Sequence, residues 1–348
     1  MGHRANLVYA TDKGFDFYRD SWIAYRLDKE IFWHPDFVES IILSRGQPQN
    51  GIQYDEIWAE GGLIFNTPQK ELLWYGGDEV ITHIPLRRHY MKLMHYAWEG
   101  WTLRWAYNRL REIADYTGQL FDNLSSKPYP FGGNFQLYML SADELLNQYD
   151  PAGVISVHHL DDTIRFAPPV YLEPFDSLDC LRSPMQQVLT EVQQKATLPE
   201  LKITNEQVNN NSIGCAIHFD MIEHKIYTWS SVAPLALHYK HQEWEDWKII
   251  WLEDRYEDHI ALTDGRLHLP TYTDDELTAQ LRDALIWDMP NYHTGRAFYA
   301  DRIMLEQAGL GTLDNTGKMN DTQFDYVLNY KTQRFDEIVT KWRADQKS

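Results

Sequence analysis

Tyr96-Ala-Trp-Glu-Gly-Trp-Thr-Leu-Arg-Trp105 is the stretch that decides the fold, because the chain contains a second version of it, Gln242-Glu-Trp-Glu-Asp-Trp-Lys-Ile-Ile-Trp251. The tryptophans of the two stretches correspond one to one at a constant separation of 146 residues: Trp98 with Trp244, Trp101 with Trp247 and Trp105 with Trp251. Three matched tryptophans favour an internal duplication over chance. A duplication describes the fold and says nothing by itself about chemistry.

The residues around both stretches follow the same order of predicted elements. Hairpins over 61–75 and 214–229 each have a three-residue loop, and Pro85 and Pro234 each open a predicted helix, the second running to about Glu243. The tryptophan-rich segment then reads as a strand, followed by a short helix that a glycine ends. We therefore predict an α+β or mixed α/β fold, with two related β-β-α-β-α halves, mixed sheets covered by helices and a helical C-terminal tail.

Four segments are predicted along the 348 residues. Residues 1–118 contain an N-terminal hairpin, a helix over 35–45, an extended segment over 52–58 and the first repeat; 119–212 form an irregular connecting region with one helix; 213–265 form the second repeat; and 266–348 form C-terminal helices. One compact body is the expected arrangement. The N-terminal hairpin and its helix are interpreted as a divergent third copy of the repeat.

The net charge of −19 restricts the classes of partner. An acidic surface repels polyanions, so nucleic acid is not an expected partner, whereas a basic protein or a small polar molecule is. The aromatic residues, 14% of the chain, either fill a large core or line a cleft or partner surface. No apolar run is long enough to span a membrane, and two cysteines without metal-ligand spacing suit a cytoplasmic protein. The sequence does not determine the oligomeric state.

The predicted functional site lies where the tryptophan-rich strands end, because sheets with parallel strands bind ligands at the carboxyl ends of those strands. The two arginines there would anchor an anionic or polar ligand, and Glu253 or Asp254 would perform acid–base catalysis. The structural alternative is that each arginine forms a local salt bridge and caps its helix. The two repeats supply six candidates: Tyr107, Asn108, Arg109 and Arg255 for ligand binding, and Glu253 and Asp254 for catalysis.

A second candidate segment, His158-His159-Leu160-Asp161-Asp162, contains side chains that bind metals. Adjacent strand residues point to opposite faces, so the two histidines cannot share one ion without a bend. Four further histidines are predicted to lie at the surface: His218, His224, His238 and His241. The sequence contains no G-x-S-x-G, H-E-x-x-H or C-x-x-C pattern and no glycine-rich nucleotide motif, so no cofactor is predicted.

These observations do not establish a function. The best-fitting expectation is an interaction protein with an acidic, aromatic-rich surface, since no catalytic pattern is present. One alternative is a metal-independent hydrolase or transferase that uses the strand-end carboxylates and arginines. The other is a metal-dependent enzyme built on His158, His159, Asp161 and Asp162.

Overall fold

Apolar strands joined by short polar turns build one large sheet in each of two units, and the second unit also contains a short two-stranded sheet. The computed structural model describes residues 3–124, 137–147, 152–171, 179–208, 213–234, 242–287, 298–313 and 317–347. Contacts group residues 1–81, 85–126 and 272–348 into the first unit, and residues 82–84 and 127–271 into the second. This grouping differs from the four predicted segments, because the C-terminal helices belong to the first unit and most of the connecting region belongs to the second.

The described residues contain the mixed sheets and helices expected of an α+β fold. The strands are β1 (Ala5–Thr11), β2 (Gly14–Asp20), β3 (Gly61–Asn66), β4 (Glu71–Tyr75), β5 (Thr102–Trp105), β6 (Ala152–His158), β7 (Ile164–Phe166), β8 (Val170–Tyr171), β9 (Leu201–Lys202), β10 (Ile213–Asp220), β11 (Lys225–Ser230), β12 (Lys248–Trp251) and β13 (Leu267–His268). The α-helices are α1 (Leu27–Ile31), α2 (Pro35–Leu43), α3 (Asp78–Thr82), α4 (Ile84–Ala97), α5 (Leu110–Thr117), α6 (Ala142–Asn147), α7 (Met185–Lys195), α8 (Asn205–Val208), α9 (Tyr256–Leu262), α10 (Asp274–Arg282), α11 (Tyr299–Gln307) and α12 (Asp321–Asp345).

The first sheet has the strand order β2-β1-β3-β4-β5. β1 pairs with β3 in parallel, as β4 does with β5, and the remaining neighbours are antiparallel. Thr11 pairs with Gly14, so the first hairpin has a two-residue loop, Asp12 and Lys13. Gly14 has a φ of +124°, a conformation that side chains disfavour. Every residue of β3 is buried, as expected for an interior strand covered on both faces.

Five strands of the second sheet repeat the five strands of the first, and β8 pairs with β6 as an additional strand. The order β7-β6-β10-β11-β12 corresponds to β2-β1-β3-β4-β5, with the same parallel and antiparallel pairs. The tryptophan-bearing strands keep the same register, since Trp105 pairs with Trp74 and Trp251 with Thr228 at the equivalent position. The duplication that the tryptophan spacing predicted is therefore present in the fold.

The repeats are longer than the sequence indicated. The hairpin β6-β7 and helix α7 lie within residues assigned to the irregular connecting region, yet they match β1-β2 and α2. An isolated bridge between Phe17 and Gln49 recurs between Phe166 and Leu198. The N-terminal hairpin is thus the first part of the first repeat and not a third copy. The helix predicted from Pro234 includes residues 235–241, which lie outside the described residues.

The repeated tryptophans form a packing seam in each unit. Trp98 and Trp244 have no solvent exposure. Each meets the next tryptophan of its repeat edge to face, with ring centroids 5.2 Å apart for Trp98 and Trp101 and 5.6 Å apart for Trp244 and Trp247. Such pairs join large apolar burial with a favourable ring geometry. The stretch that reveals the duplication is therefore structural.

Three consecutive charged residues of α1 are buried, which the sequence pattern did not indicate. Asp28, Lys29 and Glu30 are each exposed by 1% or less. The Lys29 ammonium lies 3.5 Å from the Glu79 carboxylate. Burial raises the pKa of Asp28 to about 7, against the opposing attraction of Lys29. A buried charge is costly without a partner, so this helix depends on remote residues for its stability.

Glu30 provides one attachment of the C-terminal helices to the first unit. Its carboxylate accepts hydrogen bonds from the backbone N–H groups of Tyr299 and Ala300, at 3.0 and 2.7 Å. These amides begin α11 and have no partner within their helix. Within the C-terminal segment, Lys331 of α12 lies 2.7 Å from Asp301 of α11, and both side chains are buried. The Glu30 hydrogen bonds thus connect residues 272–348 to the rest of the first unit.

Candidate functional site

The strand-end residues of the first repeat bond to their own unit. Arg109 is 6% exposed, and its Nη2 donates to the carbonyl oxygen of Ala59 at 3.0 Å. Asn108 donates through its backbone N–H to the Glu112 carboxylate at 2.7 Å, and Tyr107 packs half-buried against the core. Arg109 therefore supports the backbone of a neighbouring segment, and its predicted role as a ligand anchor remains a prediction.

The strand-end residues of the second repeat form a local ion-pair group. The exposed Arg255 guanidinium lies 3.1 Å from Glu253 and 2.9 Å from Asp258. The hydrogen bond that Arg255 donates to Asp258, and then the charges of Glu253 and Asp258, raise the pKa of Arg255. Asp254 is buried, at 3% exposure. This arrangement matches the predicted local salt bridge for Arg255. The catalytic role of Glu253 and Asp254 remains a prediction.

The duplication also distributes the six candidates between the units. Tyr107, Asn108 and Arg109 belong to the first unit, and residues 253–255 belong to the second. The second unit contains both predicted catalytic carboxylates together with one of the two arginines, Arg255.

The histidine and aspartate side chains of the segment 158–162 form separate pairwise contacts. Nε2 of His158 lies 2.8 Å from Asp162, and its Nδ1 lies 3.7 Å from Asp220. Asp161 instead accepts hydrogen bonds from the backbone and hydroxyl of Thr163. Across the described ranges, no group of three or more His, Cys, Asp or Glu side chains could hold a metal ion. The metal alternative therefore gains no support from these residues.

A buried hydrogen-bonded chain in the second unit was not anticipated from the sequence. The hydroxyl of Ser156 lies 2.8 Å from Nδ1 of His218 and 2.7 Å from Nε2 of His259. Trp229 donates its indole N–H to Nδ1 of His259 at 3.1 Å. His259 then carries its proton on Nε2 and donates to Ser156, whose hydroxyl donates to His218. The prediction that His218 lies at the surface is wrong, since it is 1% exposed.

This network of hydrogen-bonded side chains is a polar part of the core of the second unit. Burial lowers the pKa of His218 to about 4 and holds the pKa of His259 well below its ordinary value. Ser156 and Trp229 have no exposure, and a serine nucleophile must be reachable by its substrate. The network lacks that access in this structure. The alternation of His218 and Asp220 on one strand face was the only sequence signal for it.

The exposed aromatic patch, which we define as Trp22, Tyr25, Ile57 and Trp58, is the feature of the first unit most suited to binding. These side chains are 60%, 43%, 48% and 51% exposed, respectively. Most large apolar residues of this unit are buried, and exposed apolar clusters mark interaction surfaces. Tryptophan and tyrosine are also the residues that contribute most to binding at interfaces.

Two aspartates fix the turns that present the patch. Asp20, at the end of β2, accepts hydrogen bonds from the backbone N–H groups of Trp22 and Ile23. Asp55 accepts from the backbone N–H groups of Ile57 and Trp58, both at 3.1 Å. Residues 56–58 are therefore a turn, and the predicted extended segment over 52–58 is wrong at its end. Aspartate two or three residues before an apolar pair is the available sequence signal.

His3 and Arg4 join the two halves of the patch. The His3 ring lies 5.0 Å from the Tyr25 ring and 6.4 Å from the Trp22 ring, measured between centroids. The Arg4 guanidinium lies 4.4 Å from the centroid of the Trp58 ring. The Glu60 carboxylate contacts both the His3 ring and the backbone N–H of Arg4, so the two halves of the patch lie on either side of one shared residue.

Three carboxylates lie beside the His3 and Tyr25 part of this surface. Glu60 lies 3.4 Å from His3, Glu79 is partly exposed, and Asp78 is exposed. Partial burial, and then the charge and hydrogen bond of Asp78, raise the pKa of Tyr25. Aromatic faces and carboxylates together attract cations, since both present negative potential.

Comparisons with protein-family models, with curated proteins and with solved structures find no match for this chain. In the part of the chain that the structure describes, no helix is long and apolar enough to cross a membrane. The geometry of the aromatic patch is therefore the basis on which a function can be argued.

Proposed function

We propose that this protein is an interaction protein whose aromatic patch binds an arginine- or lysine-rich segment of a partner protein. The observation that carries the proposal is the exposure of Trp22 and Trp58, at 60% and 51%, on an acidic chain of net charge −19. Burying these rings against a partner would remove apolar surface from water. The neighbouring carboxylates favour a partner of opposite charge.

The protein's own Arg4 supports the choice of a cationic partner. Its guanidinium already lies over the Trp58 ring, with the Tyr54 ring 5.9 Å away. The Trp22 and Tyr25 side of the patch has comparable aromatic chemistry, with Asp78 bonded to Tyr25. A partner arginine can stack there as Arg4 does at Trp58, while its charge meets Asp78. Polyanions would be repelled by the same carboxylates. We assign this interaction to the cytoplasm, an assignment that the low cysteine content of the chain, two residues, supports.

The binding of short labelled peptides tests this proposal. Fluorescence anisotropy would compare nona-arginine, nona-lysine and nona-glutamate peptides at low salt. We expect the arginine peptide to bind most tightly and the glutamate peptide not to bind, with affinity falling as NaCl rises from about 0.05 to 0.3 M. Trp22→Ala and Trp58→Ala should each weaken binding by about tenfold.

Tyr138→Ala is the matched control, because Tyr138 is an aromatic residue of the second unit with 64% exposure. Its affinity for the arginine peptide should equal that of the unmodified protein. Equal affinity in all variants would show charge attraction without use of the patch and would overturn the proposal. Absence of binding at low salt would overturn it as well.

The enzymatic alternatives have less support. A metal-independent hydrolase or transferase would need Glu253 or Asp254 beside an arginine that is available to substrate, whereas Arg255 is paired with Glu253 and Asp258. The binding of a small polar ligand at the strand ends has less support for the same reason, because it would also need an arginine that is available to the ligand.

A further inference from the structure

We infer that Asn6 and Arg109 are positioning residues that hold the segment 52–60 and so set the orientation of Ile57 and Trp58. The inference deepens the proposed function and rests on it for its biological meaning. Its structural part, the ordering of this segment by two buried polar side chains, can be tested without any partner.

Asn6 holds the start of the segment. It lies on β1 and is 1% exposed. Its Oδ1 accepts from the backbone N–H groups of Gln53 and Tyr54, at 3.1 and 3.0 Å, and its Nδ2 donates to the Tyr54 carbonyl oxygen at 2.9 Å. Asparagine is disfavoured in a buried strand, and here the side chain is satisfied by the backbone of the segment. The amide therefore acts as a clamp on residues 53 and 54.

Arg109 holds the end of the segment. Its Nη2 and the hydroxyl of Tyr75 both donate to the carbonyl oxygen of Ala59, at 3.0 and 3.2 Å. Its guanidinium also lies 5.8 Å from the Tyr75 ring centroid. Two donors on one carbonyl fix the position of the residue that directly follows Trp58.

The backbone of Arg109 supports a specific role. It adopts φ 51° and ψ −129°, a region that residues with a side chain rarely occupy. Such strain persists where the surrounding structure requires it, and it is often found at functional sites. Here the strained residue begins α5 while its guanidinium bonds to Ala59.

The second repeat shows that these clamps are not a requirement of the fold. Asn6 pairs with Gly62, and the equivalent pair in the second sheet is Val154 with Ala216. An apolar valine thus occupies the place of Asn6. The counterpart of Arg109 is Arg255, which is exposed and bonds to nearby carboxylates. Both clamps are particular to the repeat that bears the aromatic patch.

Hydrogen exchange of the backbone amides in residues 52–60, measured without peptide, tests the positioning role. Asn6→Val introduces the residue that the second repeat has at this position, and Arg109→Met removes the donor to Ala59. We expect exchange in this segment to rise by tenfold or more in each variant, with exchange in β3 and β4 little changed. Arg109→Lys should restore part of the protection, since lysine keeps a donor but loses the planar guanidinium.

Arg104→Met is the control, because Arg104 is exposed on β5 of the same unit and pairs with Glu71. It should leave exchange in residues 52–60 unchanged. Unchanged exchange in folded Asn6→Val and Arg109→Lys proteins would overturn the inference, even if Arg109→Met failed to fold. Arginine-peptide affinity separates the two proposals. If the variants show faster exchange and bind the arginine peptide more weakly, both the positioning role and the proposed function are supported. If exchange is faster but the unmodified protein does not bind the peptide either, the positioning role is supported and the proposed function is overturned.

Discussion

The hydroxyl of Ser156 lies 2.8 Å from Nδ1 of His218, across the parallel pair of strands β6 and β10. The same register in the first sheet places Val8 beside Ile64. One copy of the repeat therefore has a hydrogen-bonded pair where the other has two aliphatic side chains. The two units consequently differ in their response to pH, although their sheets have the same topology.

Acidification should destabilise the second unit. The pKa of His218 is about 4 in the folded state against an ordinary 6.5, and that of His259 is lowered too. The unfolded chain takes up protons first, so this stability is fully present above pH 6.5 and is lost as the pH falls from 6.5 towards 4. Each histidine contributes a slope of about 1.4 kcal/mol per pH unit to the free energy of unfolding.

Hydrogen exchange of the β10 amides between pH 4.5 and 7.5, corrected for intrinsic exchange, measures this slope. Ser156→Val combined with His218→Ile introduces the residues of the first repeat and should reduce it by about half. An unchanged slope in that double variant would contradict the assignment.

Asp28 should make the stability of the first unit depend on pH in the opposite direction. Burial raises its pKa from 3.8 to about 7, so the folded state holds the proton more tightly than the unfolded chain. The stability that protonated Asp28 contributes is fully present below pH 3.8 and is lost as the pH rises from 3.8 to 7. Asp28→Asn should therefore stabilise the first unit at pH 8, by up to about 4 kcal/mol. Urea unfolding at pH 5 and pH 8 tests this, with Asp36→Asn, an exposed carboxylate, as the control without effect.

The ion pair between Lys331 and Asp301 should anchor α12 on α11. Both side chains are buried and 2.7 Å apart. Lys331→Met leaves the Asp301 carboxylate buried without its countercharge and should cost about 3–5 kcal/mol in the free energy of unfolding. Urea unfolding measures the loss. Combining Lys331→Met with Asp301→Asn should recover part of it, and a single variant as stable as the unmodified protein would rule out the anchoring role.

Tryptophan substitutions should separate the binding surface from the core. Trp98→Ala removes a ring with no exposure whose Nε1 donates to the Ile31 carbonyl oxygen at 3.0 Å, and it should cost about 3–5 kcal/mol. Trp22→Ala removes a ring that is 60% exposed and should change the free energy of unfolding by no more than about 1 kcal/mol. Thermal and urea unfolding of the two variants compare them directly. A large loss from Trp22→Ala would show that the patch is structural.

The sequence alone determined the fold class and the existence of the repeat. The spacing of Trp98, Trp101 and Trp105 and its recurrence predict the duplication and place these rings where a helix leads into a strand, because local spacing carries that information. The edge-to-face geometry of the rings is a finding of the structure. The sequence did not determine the length of the repeat, because β6 and β7 share with β1 and β2 only ordinary apolar positions, such as Phe166 with Phe17, and no distinctive pattern like that of the tryptophans. Their equivalence is a matter of backbone pairing, which many apolar sequences satisfy.

Only the tertiary structure decided the candidate site. Asn6 and Arg109 are far along the chain from the segment 52–60 that they hold. The contact of Asn6 with Tyr54 and that of Arg109 with Ala59 depend on the order of strands in the sheet. The exposure of Trp22 and the burial of Asp28, Lys29 and Glu30 are equally non-local, because each depends on which remote residues cover the side chain. A ring or a charge has the same identity inside and outside the core. What surrounds it decides whether it packs, pairs or remains available to a partner.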